Sequence, residues 1–80
     1  MEIRYAKAAV KVINSMDRPT KQRVYEAIHK LPEGDIKALQ GLDGSFRLRV
    51  GNWRILFSRS GNDIIYIDKV GPRGDVYKGV

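Results

Sequence analysis

The sequence contains no cysteine and a single histidine, His29. Disulfide bonds and cysteine-ligated metals are therefore excluded, and neither a structural zinc site nor a His-paired nucleophile is expected. The apolar runs are far shorter than the roughly 20 residues that a membrane-spanning helix needs, and residues 1–4 lead into no apolar segment of a signal peptide. These absences predict a cytoplasmic protein that uses no metal or small-molecule cofactor and has no membrane partner.

Acidic residues are also scarce, since nine Asp and Glu stand against fifteen Lys and Arg. The resulting net charge of +6 and pI near 9.9 favour nucleic acid or an acidic protein as the partner. The 80 residues are 42% hydrophobic, a fraction typical of folded chains. We expect one domain that spans residues 1–80, close to the lower size limit for a self-sufficient core.

Hydrophobic periodicity divides the chain into helices and strands. Asp17 is expected to cap the second helix, with Pro19 in its first turn and Pro32 just beyond its end. The predicted elements are a strand at 1–5, a helix at 6–16, a turn and restart at 17–20, a second helix that runs to about 31, a short irregular segment at 36–44, a hairpin at 45–57 and a strand at 64–70. This order predicts an α+β fold, in which an N-terminal helical hairpin packs on one face of a small, mostly antiparallel twisted β-sheet.

The predicted hairpin gathers basic residues on one face. Gly51-Asn52 is a two-residue turn signal that would place Arg49 directly opposite Arg54, and Arg47 falls on the same face. The alternate, apolar residues of the other face are Phe46, Leu48, Val50, Trp53, Ile55 and Phe57. Because two helices can cover only one face of the sheet, we expect the apolar face to form the core and the arginine face to stay open.

The expected pairing of Arg49 with Arg54 is unfavourable for folding, because like charges that face each other destabilise a ladder. Two unit charges about 5 Å apart repel by roughly 1 kcal/mol in water and by roughly 3 kcal/mol at an effective dielectric near 20. One interpretation is an ordinary solvated sheet face. The alternative is a surface that binds a polyanion, which requires such a concentration of positive charge.

The register of the last strand decides where Asp68 lies. We expect the register that places Ile65 and Ile67 in the core, because the other register buries the Asp68 carboxylate without a partner. Asp68 would then lie opposite Arg54 and orient its side chain. In this register Lys69 falls on the core face near the end of the sheet, where its stem would cover the core tryptophan.

Three segments resemble the RelE/ParE superfamily of bacterial type II toxins. They are residues 34–41 (GDIKALQG), 46–57 (FRLRVGNWRILF) and 70–77 (VGPRGDVY). The preceding helix pair also fits, so the resemblance extends over nearly the whole chain and implies a RelE-like fold. It leaves the activity open between ribosome-dependent mRNA endonucleases and gyrase poisons.

The endonuclease branch implies metal-independent cleavage of mRNA in the ribosomal A site. The 2′-hydroxyl attacks its own phosphodiester and leaves a 2′,3′-cyclic phosphate, which requires a base, positive charge at the transition state and an acid for the departing 5′-oxygen. The resemblance places the catalytic residues at Arg47, Arg49, Arg54, Arg73 and Tyr77. It implies that Arg54 and Arg73 stabilise charge and that Tyr77 donates a proton or stacks on a base.

The resemblance leaves the general base open. RelE itself has lysines at the positions of Arg47 and Arg49, and an arginine does not release its proton at physiological pH. Lys37 and Asp35 are alternatives, because related enzymes of the superfamily place a lysine and an acid in this loop. All of these residues also have a simpler interpretation as surface charges or packing residues.

The sequence leaves three functions open: a ribosome-dependent endoribonuclease, a ParE-like poison of DNA gyrase, and a basic nucleic-acid-binding module without catalysis. Arg73 and Tyr77, present together with the central arginines, favour the first. The resemblance also implies a cognate antitoxin as the stable partner, with the ribosome and mRNA as the targets. Single-stranded RNA held by three phosphate contacts should bind about twenty-fold more weakly after a fourfold rise in salt concentration.

Overall fold

The computed structural model describes residues 2–39, 44–61 and 63–72. These residues form two helices and five strands. In chain order the elements are β1 (Glu2–Tyr5), α1 (Lys7–Asn14), α2 (Arg18–His29), β2 (Asp35–Ala38), β3 (Ser45–Val50), β4 (Trp53–Ser60) and β5 (Ile64–Pro72). Both predicted helices, the hairpin and the first and last strands are confirmed, with bounds that differ by a few residues.

Local sequence signals explain where α2 begins and ends. The side chain of Asp17 accepts a hydrogen bond from the Thr20 N–H at 3.3 Å, as an N-cap does, and this bond lowers the pKa of the Asp17 carboxyl. Pro19 lies in the first turn, where its missing N–H is not needed. The helix ends at His29, and Pro32 follows shortly afterwards. The predicted cap and stop are therefore confirmed.

The five strands form one sheet in the order β1-β5-β4-β3-β2. β1 pairs parallel with β5, and the other neighbouring pairs are antiparallel. The two helices follow β1 in the chain and pack on one face of the sheet, α1 against β5 and α2 against β3. The predicted α+β fold is therefore confirmed.

The edge strand β2 differs from the prediction, which placed this part of the chain in an irregular segment. Its four residues pair antiparallel with β3. Ile36 lies opposite Leu48 on the helix side of the sheet, whereas Asp35 and Lys37 fall on the other face. Four residues hold too little of a period-2 pattern to separate a strand from a loop. Within the described part of the chain, four strands, and not three, therefore follow the helices.

The helix-covered face of the sheet holds the core. Its buried residues are Ala9, Ile13, Val24, Ile28, Leu31, Leu48, Ile55, Phe57, Ile65, Ile67 and Val70. Phe46 stacks on Phe57 at one end of this face, with ring centroids 5.4 Å apart. Trp53 packs against the core but is only half-buried, because it begins its strand at the hairpin turn. The expectation that Trp53 lies inside the core is thus correct only in part.

A β-bulge interrupts β5 at Asp68. Leu56 pairs with Lys69 and Phe57 pairs with Ile67, so Asp68 has no opposite residue in β4. A bulge inserts one extra residue and shifts the alternation of the strand beyond it. The apolar side chains on both sides of the bulge consequently remain in the core.

The bulge overturns two expectations about β5. Asp68 does not lie opposite Arg54, because Gly71 occupies that position. Lys69 does not lie on the core face, because its partner Leu56 belongs to the face that the helices leave uncovered. Strict alternation would bury either the carboxylate or the ammonium group, and the extra residue avoids both.

Candidate nucleic-acid interface

The hairpin of β3 and β4 places two arginines side by side. Its turn consists of Gly51 and Asn52, and Gly51 has a φ of 59°, in the left-handed region that favours glycine. The resulting register pairs Arg49 directly with Arg54. The facing arginine pair that the turn signal predicts is therefore confirmed.

Basic side chains from four strands share the face of the sheet that lies away from the helices. Two rows of paired residues cross this face from β2 to β5. The first row is Asp35, Arg49, Arg54 and Gly71, and the second is Lys37, Arg47, Leu56 and Lys69. We call Lys37, Arg47, Arg49, Arg54 and Lys69 the basic face. So many positive charges within two rows of one sheet form a surface suited to a polyanion.

Arg49 and Arg54 converge on the hairpin turn. The Nε of Arg49 donates to the carbonyl oxygen of Gly51 at 3.4 Å, and the Nη1 of Arg54 donates to the same oxygen at 3.5 Å. Arg54 Nη1 also lies 3.4 Å from the carbonyl oxygen of Trp53. A guanidinium carries five N–H donors, so these long contacts leave donors of both groups available for phosphate oxygens.

Acidic side chains compensate charge at the margins of the sheet more than at its centre. At the β1 edge, Arg4 Nε is hydrogen-bonded to Glu2 Oε2, and this carboxylate raises the pKa of Arg4. At the β2 edge, Arg47 Nη2 lies 3.6 Å from Asp35 Oδ1. Within residues 2–39, 44–61 and 63–72, no acidic side chain lies within salt-bridge distance of the central arginine pair. The central pair is therefore the strongest place on this sheet for an external anion.

Asp35 and Lys37 join the site from β2. Asp35 lies opposite Arg49 in the ladder, and Lys37 lies opposite Arg47. Their strand, and not a loop, presents them on the same face as the arginines. The carboxylate of Asp35 is well exposed, whereas Arg47 is only 13% exposed. The sequence analysis assigns both residues to a loop, and the structure corrects this to strand β2, on the face that carries the arginines.

The remaining predicted site residues do not join this group. Asp68 is exposed at the bulge and has no partner in the ladder of β4. Arg73 and Tyr77 lie outside the described residues, so their roles remain predictions from the family resemblance. The basic face therefore stands on the residues of β2 to β5 alone.

Lys69 is the member of the basic face that the sequence prediction misses. It follows the bulge and shares a row with Arg47 and Leu56. A signal for this placement exists in the sequence, because either unbroken register of residues 64–70 would bury one of the charged residues Asp68 and Lys69. A conflict of this kind in both registers indicates a bulge.

The part of the chain that the structure describes has no group of three or more His, Asp or Glu residues placed to hold a metal ion. Neither of its two helices is both long and apolar enough to span a membrane.

Solved structures share this arrangement of helices and strands. The RelB-RelE antitoxin–toxin complex from Methanococcus jannaschii matches with 26% identity and a TM-score of 0.76, over 92% of this chain and 94% of that chain. The archaeal RelE-RelB complex from Pyrococcus horikoshii OT3 matches with 25% identity and a TM-score of 0.76, over 92% of this chain and 96% of that chain. The chain is a RelE-like protein.

A bacterial structure has a fold similar to that of this RelE-like protein. The toxin–antitoxin complex RelBE2 from Mycobacterium tuberculosis matches with 22% identity and a TM-score of 0.73, over 92% of both chains. No protein-family model and no curated protein sequence matches this chain. The RelE-like fold that the sequence segments imply is confirmed by the solved structures.

Proposed function

We propose that this RelE-like chain is the toxin of a type II toxin–antitoxin system and that it cleaves translated mRNA on the ribosome in the cytoplasm. The observation that carries the proposal is the pair Arg49 and Arg54, which face each other on the helix-free side of the sheet. Their mutual repulsion opposes folding, whereas a bound phosphate backbone would neutralise it. The likeness to RelE in two antitoxin–toxin complexes supports the toxin part of the proposal.

In the proposed reaction, the 2′-oxygen of the RNA bonds to the adjacent phosphorus and the bond from phosphorus to the 5′-oxygen breaks. A base takes the proton of the 2′-hydroxyl, and an acid gives a proton to the departing 5′-oxygen. The products are a 2′,3′-cyclic phosphate and a 5′-hydroxyl. Arg49 and Arg54 would stabilise the charge that develops on the phosphate oxygens. By family resemblance, Arg73 would add positive charge and Tyr77 would act as the acid.

The base is a residue other than an arginine, because a guanidinium keeps its proton at physiological pH. The family resemblance supplies Asp35 and Lys37 as candidates, and β2 presents both on the face that carries the arginines. The carboxylate of Asp35 lies near Arg47, so the same residue can also orient that guanidinium. Asp35→Asn and Lys37→Gln each remove one proton acceptor with little change in shape, and the base is the residue whose replacement abolishes cleavage without loss of RNA binding.

A cognate antitoxin is the proposed stable partner. The RelE chains of the two archaeal neighbours were solved together with RelB. This chain carries a net charge of +6, and an acidic antitoxin would complement it electrostatically.

The nuclease proposal is tested by message cleavage in a purified translation system. Ribosomes stalled on a defined message receive the purified protein, and primer extension maps the new ends. We expect cuts in the A-site codon that carry 2′,3′-cyclic phosphates. Arg54→Ala should lower the cleavage rate roughly 100- to 1,000-fold, as the loss of one preorganised donor to transition-state charge does.

Arg59→Ala is the matched control. Arg59 belongs to the same strand as Arg54 but lies on the helix side, opposite Ile65. This variant removes the same charge and leaves the basic face intact, so its cleavage rate should stay close to wild type. An equal loss in both variants would contradict the site. Intact message together with DNA damage would instead favour a gyrase poison, and RNA binding without either effect would favour a non-catalytic module.

A further inference from the structure

A cleft lies between α2 and the hairpin turn, on the helix side of the sheet. Its volume is about 270 Å³, and its lining residues are Thr20, Arg23, Val50, Gly51, Asn52 and Trp53. We propose that this cleft binds one nucleobase of the RNA strand whose phosphates contact Arg49 and Arg54. The proposal rests on the RNA-binding part of the proposed function and adds a base-binding site to it.

The groups that line the cleft suit a nucleobase. Trp53 is half-buried and Arg23 is exposed, and an indole ring and a planar guanidinium are both stacking partners for RNA bases. The side-chain hydroxyl of Thr20 and the side-chain amide of Asn52 can each donate and accept hydrogen bonds at the edge of a base. Among the described residues, no acidic side chain lines the cleft. Its volume of about 270 Å³ lies close to the lower end of the range of small-molecule sites, roughly 300–1,000 Å³.

Gly51 connects the cleft to the basic face. Its carbonyl oxygen receives the guanidiniums of Arg49 and Arg54 at 3.4 Å and 3.5 Å. On its other side, a Cβ atom added to Gly51 would lie 3.3 Å from Arg23 Nη2. Three guanidiniums from β3, β4 and α2 therefore meet at one residue of the turn. A nucleotide whose phosphate binds the pair can place a neighbouring base in the cleft.

A second cleft beside α2 is less suited to RNA. Its volume is about 290 Å³, and it also borders Arg23 and Arg49. Three acidic residues line it, Glu26, Glu33 and Asp35, and they would repel a phosphate backbone. The base that is bound on the helix side is therefore expected in the first cleft, beside Thr20, and not in the second.

Trp53 provides a direct probe, because it is the only tryptophan in the chain. The intact protein is titrated with short 2′-O-methyl oligoribonucleotides, which cannot be cleaved by 2′-hydroxyl attack, and with the same oligonucleotides carrying one abasic position. Fluorescence anisotropy of a label on the RNA measures binding, and tryptophan emission measures stacking. We expect saturable quenching of Trp53 by the complete oligonucleotide, and weaker binding without quenching when the abasic position falls at the cleft.

Arg23→Ala tests the cleft without a change to the basic face. Stacking of one base contributes roughly 1–3 kcal/mol, so affinity should fall roughly 5- to 150-fold. Arg23→Lys keeps the charge and loses the planar group, and it should lose most of the same affinity while the slope of log affinity against log salt stays unchanged. Arg18→Ala is the control, because Arg18 is an exposed cation on the same helix that does not line the cleft.

The outcomes separate this proposal from the nuclease proposal. RNA that binds and is cleaved while Trp53 emission and abasic binding stay unchanged would overturn the cleft and leave the nuclease intact. Quenching that Arg23→Ala abolishes supports the cleft even where no message is cleaved. Absence of any salt-dependent RNA binding would overturn both.

Discussion

The two faces of the sheet follow opposite rules although they are built from the same strands. In β4, Ile55 is fully buried under the helices, and the preceding residue Arg54 points to the uncovered side. The helix side collects apolar residues from every element that packs there. The other side collects positive charges from β2, β3, β4 and β5. The first face lowers the free energy of the folded chain, and the second raises it.

This difference separates residues that fold the protein from residues that act on a ligand. Burial of an isoleucine side chain contributes roughly 1.5–3 kcal/mol to folding. The facing pair Arg49 and Arg54 works in the other direction, since its repulsion lies between roughly 1 and 3 kcal/mol, depending on the local dielectric. A face that opposes folding at its centre, where no described acidic side chain lies within salt-bridge distance, is typical of a binding surface.

The contrast is tested most strongly by Ile55→Ala and Arg54→Ala, which are neighbouring changes on opposite faces. Ile55→Ala should lower the free energy of unfolding by about 2–5 kcal/mol, because it leaves a cavity in the core. Arg54→Ala should change it by less than about 0.5 kcal/mol or raise it, because the substitution relieves a like-charge pair. Urea unfolding of both variants beside wild type measures the difference.

When RNA binding is measured on folded protein, the order of the two effects is reversed, and Arg54→Ala should have the larger effect. Arg54→Ala should bind a single-stranded oligonucleotide with a salt slope reduced by about 0.7 for the lost phosphate contact. Ile55→Ala should keep the wild-type slope wherever it remains folded. A strong destabilisation by Arg54→Ala would show that this arginine holds the sheet together, and it would remove the distinction between the faces.

The parts of the fold that the sequence predicts correctly depend on local patterns. Asp17, Pro19 and Pro32 set the limits of α2 through caps and missing donors, which act within a few residues. Gly51-Asn52 fixes the hairpin register and, with it, the facing arginines. These features therefore follow from short-range physics, without knowledge of the whole fold.

The parts that the prediction misses depend on distant partners. β2 becomes a strand because β3 offers a free edge to pair with, and nothing within residues 35–38 requires it. The bulge at Asp68 arises because β5 must match β4 while it keeps charges out of the core. Lys69 reaches the basic face only as a consequence of that bulge. The pairing of Arg49 with Arg54 was accessible from sequence, whereas the full extent of the basic face was not.

Substitutions at two glycines test whether the hairpin turn at Gly51 also contributes to RNA binding. Gly51 and Gly61 have φ angles of 59° and 62°, so alanine should cost about 1–2 kcal/mol of stability at either position. A Cβ at Gly61 would meet no atom within 4 Å, whereas a Cβ at Gly51 would approach Arg23 Nη2 at 3.3 Å. The temperature of thermal unfolding should therefore fall by a similar amount in both variants, whereas RNA affinity should fall only in Gly51→Ala. Equal RNA affinities would show that the contact between Gly51 and Arg23 has no part in binding.

The smallest expected effect concerns Tyr5, which lies at the β1 margin of the helix side. Its hydroxyl oxygen is buried and has no hydrogen-bond partner within the described residues, and its ring packs edge-on against Tyr25 with centroids 5.9 Å apart. Tyr5→Phe keeps this packing and removes the unsatisfied group. The free energy of unfolding at neutral pH should therefore stay constant or rise by up to about 1 kcal/mol.

The pH dependence of the free energy of unfolding provides a second test of the same variant. Burial raises the pKa of Tyr5, so the folded state resists ionisation that the unfolded state accepts. The stability linked to Tyr5 is fully present below the ordinary tyrosine pKa of about 10 and is lost as the pH rises through the raised value. Urea unfolding at pH 8 and pH 11 should show a smaller alkaline loss for Tyr5→Phe than for wild type. Tyr66→Phe, on the uncovered face beside Arg4, is the control, and an equal reduction there would mean that burial under the helices is not the cause.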